Sequence, residues 1–197
     1  MFRYNTLAVS EFSIENFEGA GLYTNNNSRC AAACPNGQYA IDVDGGNFQK
    51  LVTSCLSGCA CKPGRNLNCW NTSSVTDMHK AFYGHTSYNE PLEYWDTSSV
   101  TIMWSMFEGA STFNQPINSW DTASVKDFAS IFNTAFAFNQ PIDLWDTSSV
   151  YNMGHMFNKA HAFNQPIDSW DTSLVQYVDN IFHLFSTSPL MHGILQV

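Results

Sequence analysis

Six cysteines, the residues with the strongest chemistry in this chain, lie within residues 30–69. They are Cys30, Cys34, Cys55, Cys59, Cys61 and Cys69. Thiols at this density form either disulfides or a zinc site, and two of the pairs have three intervening residues, a spacing that structural zinc sites allow. An even number of cysteines in a Pro-, Gly- and Asn-containing segment of an acidic, lysine-poor chain favours disulfides. Six cysteines allow 15 pairings, and the sequence does not choose among them.

The other residues with catalytic or metal-binding potential form no recognisable motif. The chain has no Gly-x-Ser-x-Gly, no phosphate-binding glycine loop and no His-Glu-x-x-His, and its 6 histidines are scattered. Residues 42–47 resemble a calcium loop but lack the bidentate Glu at the required distance, which favours a Gly-rich turn. We therefore predict no catalytic residue, no metal site and no cofactor.

An acidic side chain recurs at a fixed interval from residue 96 onward. Asp96, Asp121, Asp146 and Asp171 are each 25 residues apart. Stacked carboxylates repel one another unless they cap turns or helices, or hold a cation. Capping explains this column without a metal and is the preferred interpretation, and calcium along the column is the alternative.

The same 25-residue interval recurs along the chain from residue 70 onward. A tryptophan opens each of five units, which follow one another without insertion or deletion; these residues are Trp70, Trp95, Trp120, Trp145 and Trp170. A fixed period of 20 to 50 residues is the signature of a repeat array. Each unit of such an array buries its apolar face only against its neighbours.

Each unit is predicted to contain a turn, a short helix, a loop and a short strand. In the second unit, Asp, Thr and Ser after Trp95 favour a turn or a helix start. The next apolar residues have helical spacing; they are Val100, Met103, Met106, Phe107 and Ala110. Gly84 and Gly109 are the predicted helix stops in the first two units. Residues 113–117, Phe-Asn-Gln-Pro-Ile, are predicted to be a short extended segment.

Stacking of the units aligns equivalent residues into columns. Seven apolar columns, of Val, Met, Phe, Ala, Phe, Ile and Trp, are predicted to fill the interior. The Asn of the Phe-Asn-Gln-Pro-Ile motif is predicted to hydrogen-bond the turns of adjacent coils; its positions are Asn89, Asn114, Asn139 and Asn164.

The repeated motifs Trp-Asp-Thr-Ser-x-Val, Met-Phe and Phe-Asn-Gln-Pro-Ile resemble those of the BspA-like leucine-rich repeat family. The resemblance covers about residues 70–185, and several fixed positions recur in nearly every unit. It implies an extracellular or surface-exposed solenoid that serves binding or adhesion and has no catalytic residues. The predicted fold class is therefore α/β: a leucine-rich-repeat-like solenoid of five 25-residue coils, each with a short helix and a short strand, plus a small disulfide-rich N-terminal module.

The chain divides into four predicted segments. Residues 1–29 are an N-terminal segment, and residues 30–69 are the Cys-rich module. We expect this module to cap the first unit, because a solenoid exposes an apolar end at each terminus. Residues 70–185 are the five-repeat solenoid, whose last unit loses the Phe-Asn-Gln-Pro-Ile motif, and residues 186–197 are a tail or C-terminal cap.

Composition excludes some partners and bears on location. A net charge of -9 with only 8 Lys and Arg argues against nucleic acid and anionic membrane surfaces, which call for basic patches. No apolar run of transmembrane length occurs, and residues 1–10 lack the apolar core of a signal peptide. We nevertheless predict an extracellular or cell-surface location, in which Asn26 and Asn71 are N-glycosylation sequons.

Apolar and aromatic residues at variable repeat positions are the candidate binding residues. Variable positions face solvent, where exposed aromatic side chains anchor partners. Seven residues fit this description: Tyr94, Ile102, Trp104, Phe136, Leu144, Tyr151 and Tyr177. They predict a non-enzymatic scaffold for protein–protein interaction or adhesion at a cell surface, in an extracellular structure, or within a larger assembly or homo-oligomer. The alternative is a lectin-like module that binds glycans through Trp104 and the tyrosines.

Overall fold

The computed structural model of the protein describes residues 22–23, 38–41, 46–57 and 66–182. Strand β1 (Leu22–Tyr23) pairs antiparallel with β2 (Gln38–Ala40), and β2 pairs parallel with β3 (Trp70–Asn71). Helix α1 spans Gly46–Leu56, and a 3-10 helix spans Leu67–Cys69 directly before β3. The segment before the repeats is therefore joined to the first unit through the backbone of β3.

Helix α1 covers the N-terminal end of the repeats. Its buried residues Phe48, Val52 and Cys55 recur at intervals of four and three, so they lie on one face of the helix. The Phe48 ring meets the indoles of Trp70 and Trp95 edge-on, at centroid distances of 6.3 and 5.5 Å. Neither helix in the described part of the chain has the length and apolar character that crossing a membrane requires.

Successive 25-residue units lie side by side in parallel register. Single-residue parallel bridges connect Asp77, Ile102, Asp127, Asn152 and Tyr177, one residue per unit. Backbone N–H groups of each unit donate to carbonyls of the next. In the first unit the donors Met78, Lys80, Phe82 and Gly84 reach carbonyls at distances of 2.8–3.1 Å. We call this set of inter-unit backbone bonds the ladder.

The predicted short helix is not formed in the described units, whose residues between the bridge and the loop are turns. The ladder uses the N–H groups that a helix would bond internally. The backbone also enters the left-handed region twice in each of the first two units, at Lys80, Gly84, Ser105 and Gly109. Consecutive right-handed helical turns do not accommodate such residues. The predicted strand at residues 113–117 is likewise absent, and the inter-unit bridge lies at Ile102 instead.

The interior consists of the predicted apolar columns. Val100, Met103, Met106, Phe107 and Ala110 are all fully buried, and their equivalents in the third unit are as well. Aromatic rings stack along the array. For example, Phe107 and Phe132 are nearly parallel, with centroids 5.8 Å apart. Large apolar side chains with little residual exposure supply most of the stabilisation of such an array.

The Asn column hydrogen-bonds adjacent units, as predicted. Asn89 Oδ1 accepts the backbone N–H of Asn114 at 2.8 Å, and Asn114 Oδ1 accepts that of Asn139 at 2.9 Å. The following glutamine adds a second bond, since Gln115 Nε2 donates to the carbonyl of Asn89 at 2.8 Å. These amides fix the register of neighbouring loops.

Substituting Thr134 by glycine is expected to raise the free energy of unfolding. Thr134 occupies the column of Gly84 and Gly109 and has a φ of 58°. A left-handed backbone costs a non-glycine residue about 1–2 kcal/mol in the folded state, and glycine removes this strain. The greater conformational freedom of glycine in the unfolded chain offsets about 0.4–1 kcal/mol of that gain. We expect a net gain of about 0.5–1 kcal/mol in urea unfolding. Thr101→Gly, at a position without positive φ, should destabilise instead; a loss in both variants would contradict the strain argument.

Candidate functional site

Four of the seven candidate binding residues flank the ladder. Ile102 and Tyr177 are bridge residues, and Tyr151 donates its N–H to the carbonyl of Lys126 within the same ladder. Trp104 follows Ile102 by two residues, and its carbonyl accepts a ladder bond. Ile102 and Trp104 are half-buried, whereas Tyr151 is 40 % exposed and Tyr177 is 53 % exposed. We call the surface formed by these four residues and His79 the ladder face.

The environment of Trp104 is aromatic and charged. His79 stacks on its ring with a centroid distance of 4.8 Å and an interplanar angle of 11°. His79 Nδ1 in turn lies 2.8 Å from Asp77 Oδ1, which orients the imidazole. Lys80 Nζ lies 4.8 Å from the Trp104 ring and 5.2 Å from the Tyr83 ring, within the range of cation–π attraction. The indole is thus held in place by contacts on the neighbouring unit.

The second aromatic group of the ladder face is Tyr151 with Tyr177. Their rings meet edge-on, with centroids 6.4 Å apart. The Asp127 carboxylate raises the pKa of the Tyr151 phenol through its charge and through a hydrogen bond. Tyr151 therefore stays a neutral phenol at physiological pH.

The other three candidates lie in different columns and do not join the ladder face. Phe136 is 46 % exposed and stacks on His161 at 5.4 Å. Leu144 is 72 % exposed, and half-buried Tyr94 occupies the same column two units earlier. The seven residues therefore do not form one surface, because the position of a residue in the repeat decides which part of the coil it occupies.

The Asp column is explained by turn formation. The Oδ1 atom of each Asp accepts the backbone N–H two residues later, at 2.8–3.1 Å, in an Asx turn; the acceptors are Asp96, Asp121, Asp146 and Asp171. Hydrogen bonds from Ser148 hold the pKa of Asp146 below its usual value, and Ser173 does the same for Asp171. Residues 22–23, 38–41, 46–57 and 66–182 contain no group of three or more His, Cys, Asp or Glu that could hold a metal ion. Residues 42–45 of the calcium-like loop lie outside these ranges.

Two of the six cysteines fall within the described residues. Cys55 on α1 and Cys69 on the 3-10 helix are buried and disulfide-bonded. The other four lie outside the described residues; they are Cys30, Cys34, Cys59 and Cys61. For these four cysteines disulfide formation stays a prediction. Of the two sequons, Asn26 also lies outside, and Asn71 is half-buried with its Oδ1 accepting the N–H of Ser73 at 3.1 Å.

The stability of the junction between α1 and the first unit is predicted to depend on pH because of His85. It occupies a column that is alanine in the next three units, and its Nε2 lies 3.5 Å from Thr53 Oγ1 on α1. Burial lowers the pKa of His85 from 6.5, so the unfolded chain binds the proton more readily than the folded one. The stability contributed by neutral His85 is present above pH 6.5 and is lost as the pH falls through the folded pKa.

The expected result is a steeper fall in melting temperature for the parent than for His85→Ala between about pH 7.5 and about pH 5. Alanine is the native residue of this column in the second to fourth units, so it fits the fold. Parallel pH profiles for the two proteins would show that His85 titrates alike in both states.

The family model described as Mycoplasma protein of unknown function, DUF285, matches the chain twice, over residues 52–145 and 124–188. The first match begins within α1, and the two overlapping matches together include the opening tryptophans of all five units. The chain belongs to this family. Searches of the curated proteins and of the solved structures give no significant match. For this DUF285 protein, the ladder face and the α1 junction both lie within the matched region.

Several residues of the ladder face and of the α1 junction were not predicted from the sequence. His79, Lys80 and Tyr83 beside Trp104 gave no signal, because each is an ordinary residue at a variable position. His85 at the α1 junction did carry a signal, since the next three units have alanine in its column.

Proposed function

We propose that this DUF285 protein is a non-enzymatic scaffold that binds a protein partner through the ladder face. The observation that carries the proposal is the grouping of Trp104, Tyr151 and Tyr177 beside one ladder, with Tyr151 and Tyr177 exposed. Trp and Tyr are the residue types most enriched at the energetic centres of protein interfaces. Their rings add contact area with few rotatable bonds, so little side-chain entropy is lost on binding.

The rigidity of the array supports the same role. Met103 donates its N–H to the carbonyl of Asp127 at 3.1 Å, and Phe128 donates to that of Asn152 at 2.9 Å, so the ladder runs on directly beneath the face. The apolar columns behind it are fully buried in the second and third units. A preorganised surface loses less conformational entropy when it binds a partner, so more of the interaction energy appears as affinity.

We further propose that the array is a leucine-rich-repeat-like solenoid of the BspA-like kind, at the cell surface or outside the cell. Support comes from the 25-residue motifs and from the parallel register of successive units. Support for the location comes from the concentration of six cysteines before the repeats, which is typical of oxidising compartments.

Glycan binding by Trp104 is the rival role for the same face. Sugars bind proteins by stacking on an open aromatic ring, and the Trp104 ring is already stacked with His79. This favours a protein partner, for which Trp104 needs only an exposed edge and a fixed orientation. A glycan array probed with the parent protein and with Trp104→Ala separates the two: saturable binding that depends on Trp104 would establish the lectin role in place of the protein scaffold.

The proposed function is tested by isolating partners from the source organism with the full chain as bait. Three matched baits accompany the parent: Trp104→Ala, Tyr177→Ala and Leu144→Ala. We expect one stoichiometric partner that is retained by the parent and by Leu144→Ala and lost with the two ladder-face variants. Retention by all four baits would place the interface elsewhere.

Once the partner is purified, Trp104→Ala is expected to weaken its binding by about 30-fold, the factor that corresponds to about 2 kcal/mol for an interface hot spot. The stability of the variant should change by less than about 1 kcal/mol, because Trp104 is only half-buried. Isothermal titration calorimetry measures the first quantity and urea unfolding the second. Leu144→Ala serves as the control with unchanged affinity.

A further inference from the structure

The ladder ends in the fifth unit with two unpaired backbone groups. In the four earlier units, the carbonyl before the bridge residue accepts an N–H from the next unit, and the N–H after the bridge residue donates to that unit. Thr101 and Met103 show the pattern, with bonds of 2.9 and 3.1 Å. The equivalent groups beside Tyr177 are the Gln176 carbonyl and the Val178 N–H, which make no hydrogen bond within the described part of the chain. The ladder is therefore open on both sides of Tyr177.

Three apolar side chains beside these groups are exposed. Val178 is 38 % exposed, whereas the four residues of its column in the earlier units are at most 1 % exposed; these are Met78, Met103, Phe128 and Met153. Leu174 is 57 % exposed and stands where the other four units carry serine, and Tyr177 is 53 % exposed. We call Leu174, Gln176, Tyr177 and Val178 the open edge.

The exposure is confined to the open edge. Three other apolar residues of the fifth unit are at most 8 % exposed; they are Trp170, Val175 and Ile181. The interior of this unit is thus covered, and what stays uncovered is a short length of ladder with apolar side chains. An exposed strand edge of this kind pairs readily with another extended backbone.

The opposite end of the array offers no matching surface for a second copy. Helix α1 lies over the first unit, where Phe48 and Trp70 are fully buried. The first unit of one copy therefore cannot stack on the fifth unit of another, which excludes a head-to-tail chain of copies. A second copy reaches the open edge only with its own open edge.

We propose that the open edge pairs with the open edge of a second copy, around a twofold axis at Tyr177. In an antiparallel pair centred on Tyr177, the Val178 N–H of each copy donates to the Gln176 carbonyl of the other. Both unpaired groups of both copies are then satisfied, and the same patch serves on each side, as a closed dimer requires. Leu174, Tyr177 and Val178 lose their contact with water in the same step.

The charge distribution favours a second copy as the occupant. The chain has a net charge of -9, and all four residues of the open edge are uncharged. Two acidic copies approach each other with least repulsion at an uncharged patch, which also lacks a partner for a charged segment. Asp179 is the next residue along the chain, and in this register it lies opposite Val175 of the second copy instead of its own equivalent.

The first test is sedimentation velocity of the full chain over a range of concentrations. We expect a reversible monomer–dimer equilibrium with a dissociation constant of about 10–100 µM, as for a small interface, when the protein is varied from about 1 to about 500 µM. A monomer at every concentration would overturn the proposal. Species that grow beyond the dimer would also overturn it, because a twofold interface closes.

Hydrogen exchange on the same samples identifies what covers the edge. Protection of the Val178 amide should increase by about four- to tenfold between the lowest and the highest concentration, while that of the Phe128 amide stays constant. Protection of Val178 that does not depend on concentration would show that a segment of the same copy covers the edge. Rapid exchange of Val178 in the dimer would place the dimer contact elsewhere. Either result contradicts the proposal.

Two variants disrupt the open edge with residues that fit the fold. Leu174→Ser installs the serine of the other four units, and Tyr177→Asp installs the residue of the first and third units. Leu174→Ser should weaken dimerisation at least about fivefold, and Tyr177→Asp should abolish it, because two carboxylates would lie opposite each other. The control is Leu144→Ser, which removes a side chain that is 72 % exposed and should leave the dimer unchanged. Equal weakening by this control would indicate unspecific association.

Dimerisation and partner binding share Tyr177 but are separable through other residues. Trp104→Ala should lose the partner of the ladder face and keep the dimer. Leu174→Ser should weaken the dimer and keep the partner. The failure of one proposal therefore leaves the other standing.

Discussion

Trp120→Ala is expected to lower the free energy of unfolding by about 3–5 kcal/mol. Trp120 is 3 % exposed and stacks on Trp95 and Phe107, with centroid distances of 6.2 and 6.1 Å. Its indole N–H donates to the carbonyl of Leu92 at 3.2 Å. The substitution leaves a cavity the size of an indole at the centre of the array and removes one inter-unit hydrogen bond. Urea unfolding measures the change.

The same substitution should also broaden the transition. Units of a repeat array contact only their neighbours, so a defect in the third of five units weakens the coupling between the two halves. We expect a lower denaturant slope together with the lower midpoint. Trp120→Phe, which keeps a stacked ring, is the matched control and should lose less. A melting curve of Trp120→Ala that matches the parent would show that the Trp column is not part of the interior.

Much of the interior could be predicted because the period repeats the same information five times. A single short run of Val, Met and Phe fits either a helix or a strand. The recurrence of this run every 25 residues makes stacking of equivalent residues the simplest way to bury it. The buried columns and the Asn hydrogen bonds follow directly, since they depend only on which residues become neighbours between units.

The conformation within each unit could not be predicted in the same way. Helical spacing of apolar residues indicates which side chains turn inward, and a series of hydrogen-bonded turns can turn the same ones inward. Whether the Met78 N–H bonds within its unit or to Ile102 of the next depends on the neighbouring coil. The left-handed positions carry Lys80, Ser105 and Thr134 as well as glycine, so residue type gave only a partial sign of them.

The candidate site was only partly predictable for a related reason. Repeat position identifies the column of Trp104 or Leu144, but the path of the coil decides which columns share a surface. The residues beside Trp104 come from the unit before it, and nothing in the types of His79 and Lys80 indicates stacking. The contact of His85 with Thr53 arises where the repeat meets α1, and no internal period describes that junction.

Phe48→Ala is expected to destabilise the array, also by about 3–5 kcal/mol, although Phe48 lies outside the repeats. The side chain is fully buried, and its ring meets Trp95 at 5.5 Å and Trp70 at 6.3 Å. Truncation opens a cavity between α1 and the first unit. Leu51→Ala, at a partly buried position of the same helix, is the control and should cost less.

The location of the amides that lose protection shows whether α1 stabilises the array as a cap or is only attached to it. Native-state hydrogen exchange measures the protection of the ladder amides of Phe82 in the first unit and Phe128 in the third. If α1 stabilises the array by covering its end, Phe48→Ala should reduce the protection of Phe82 more than that of Phe128, because coupling passes from each unit only to its neighbours. If protection falls on α1 alone and both ladder amides keep their parent values, the helix is attached to the array without stabilising it, and its end is covered by other means.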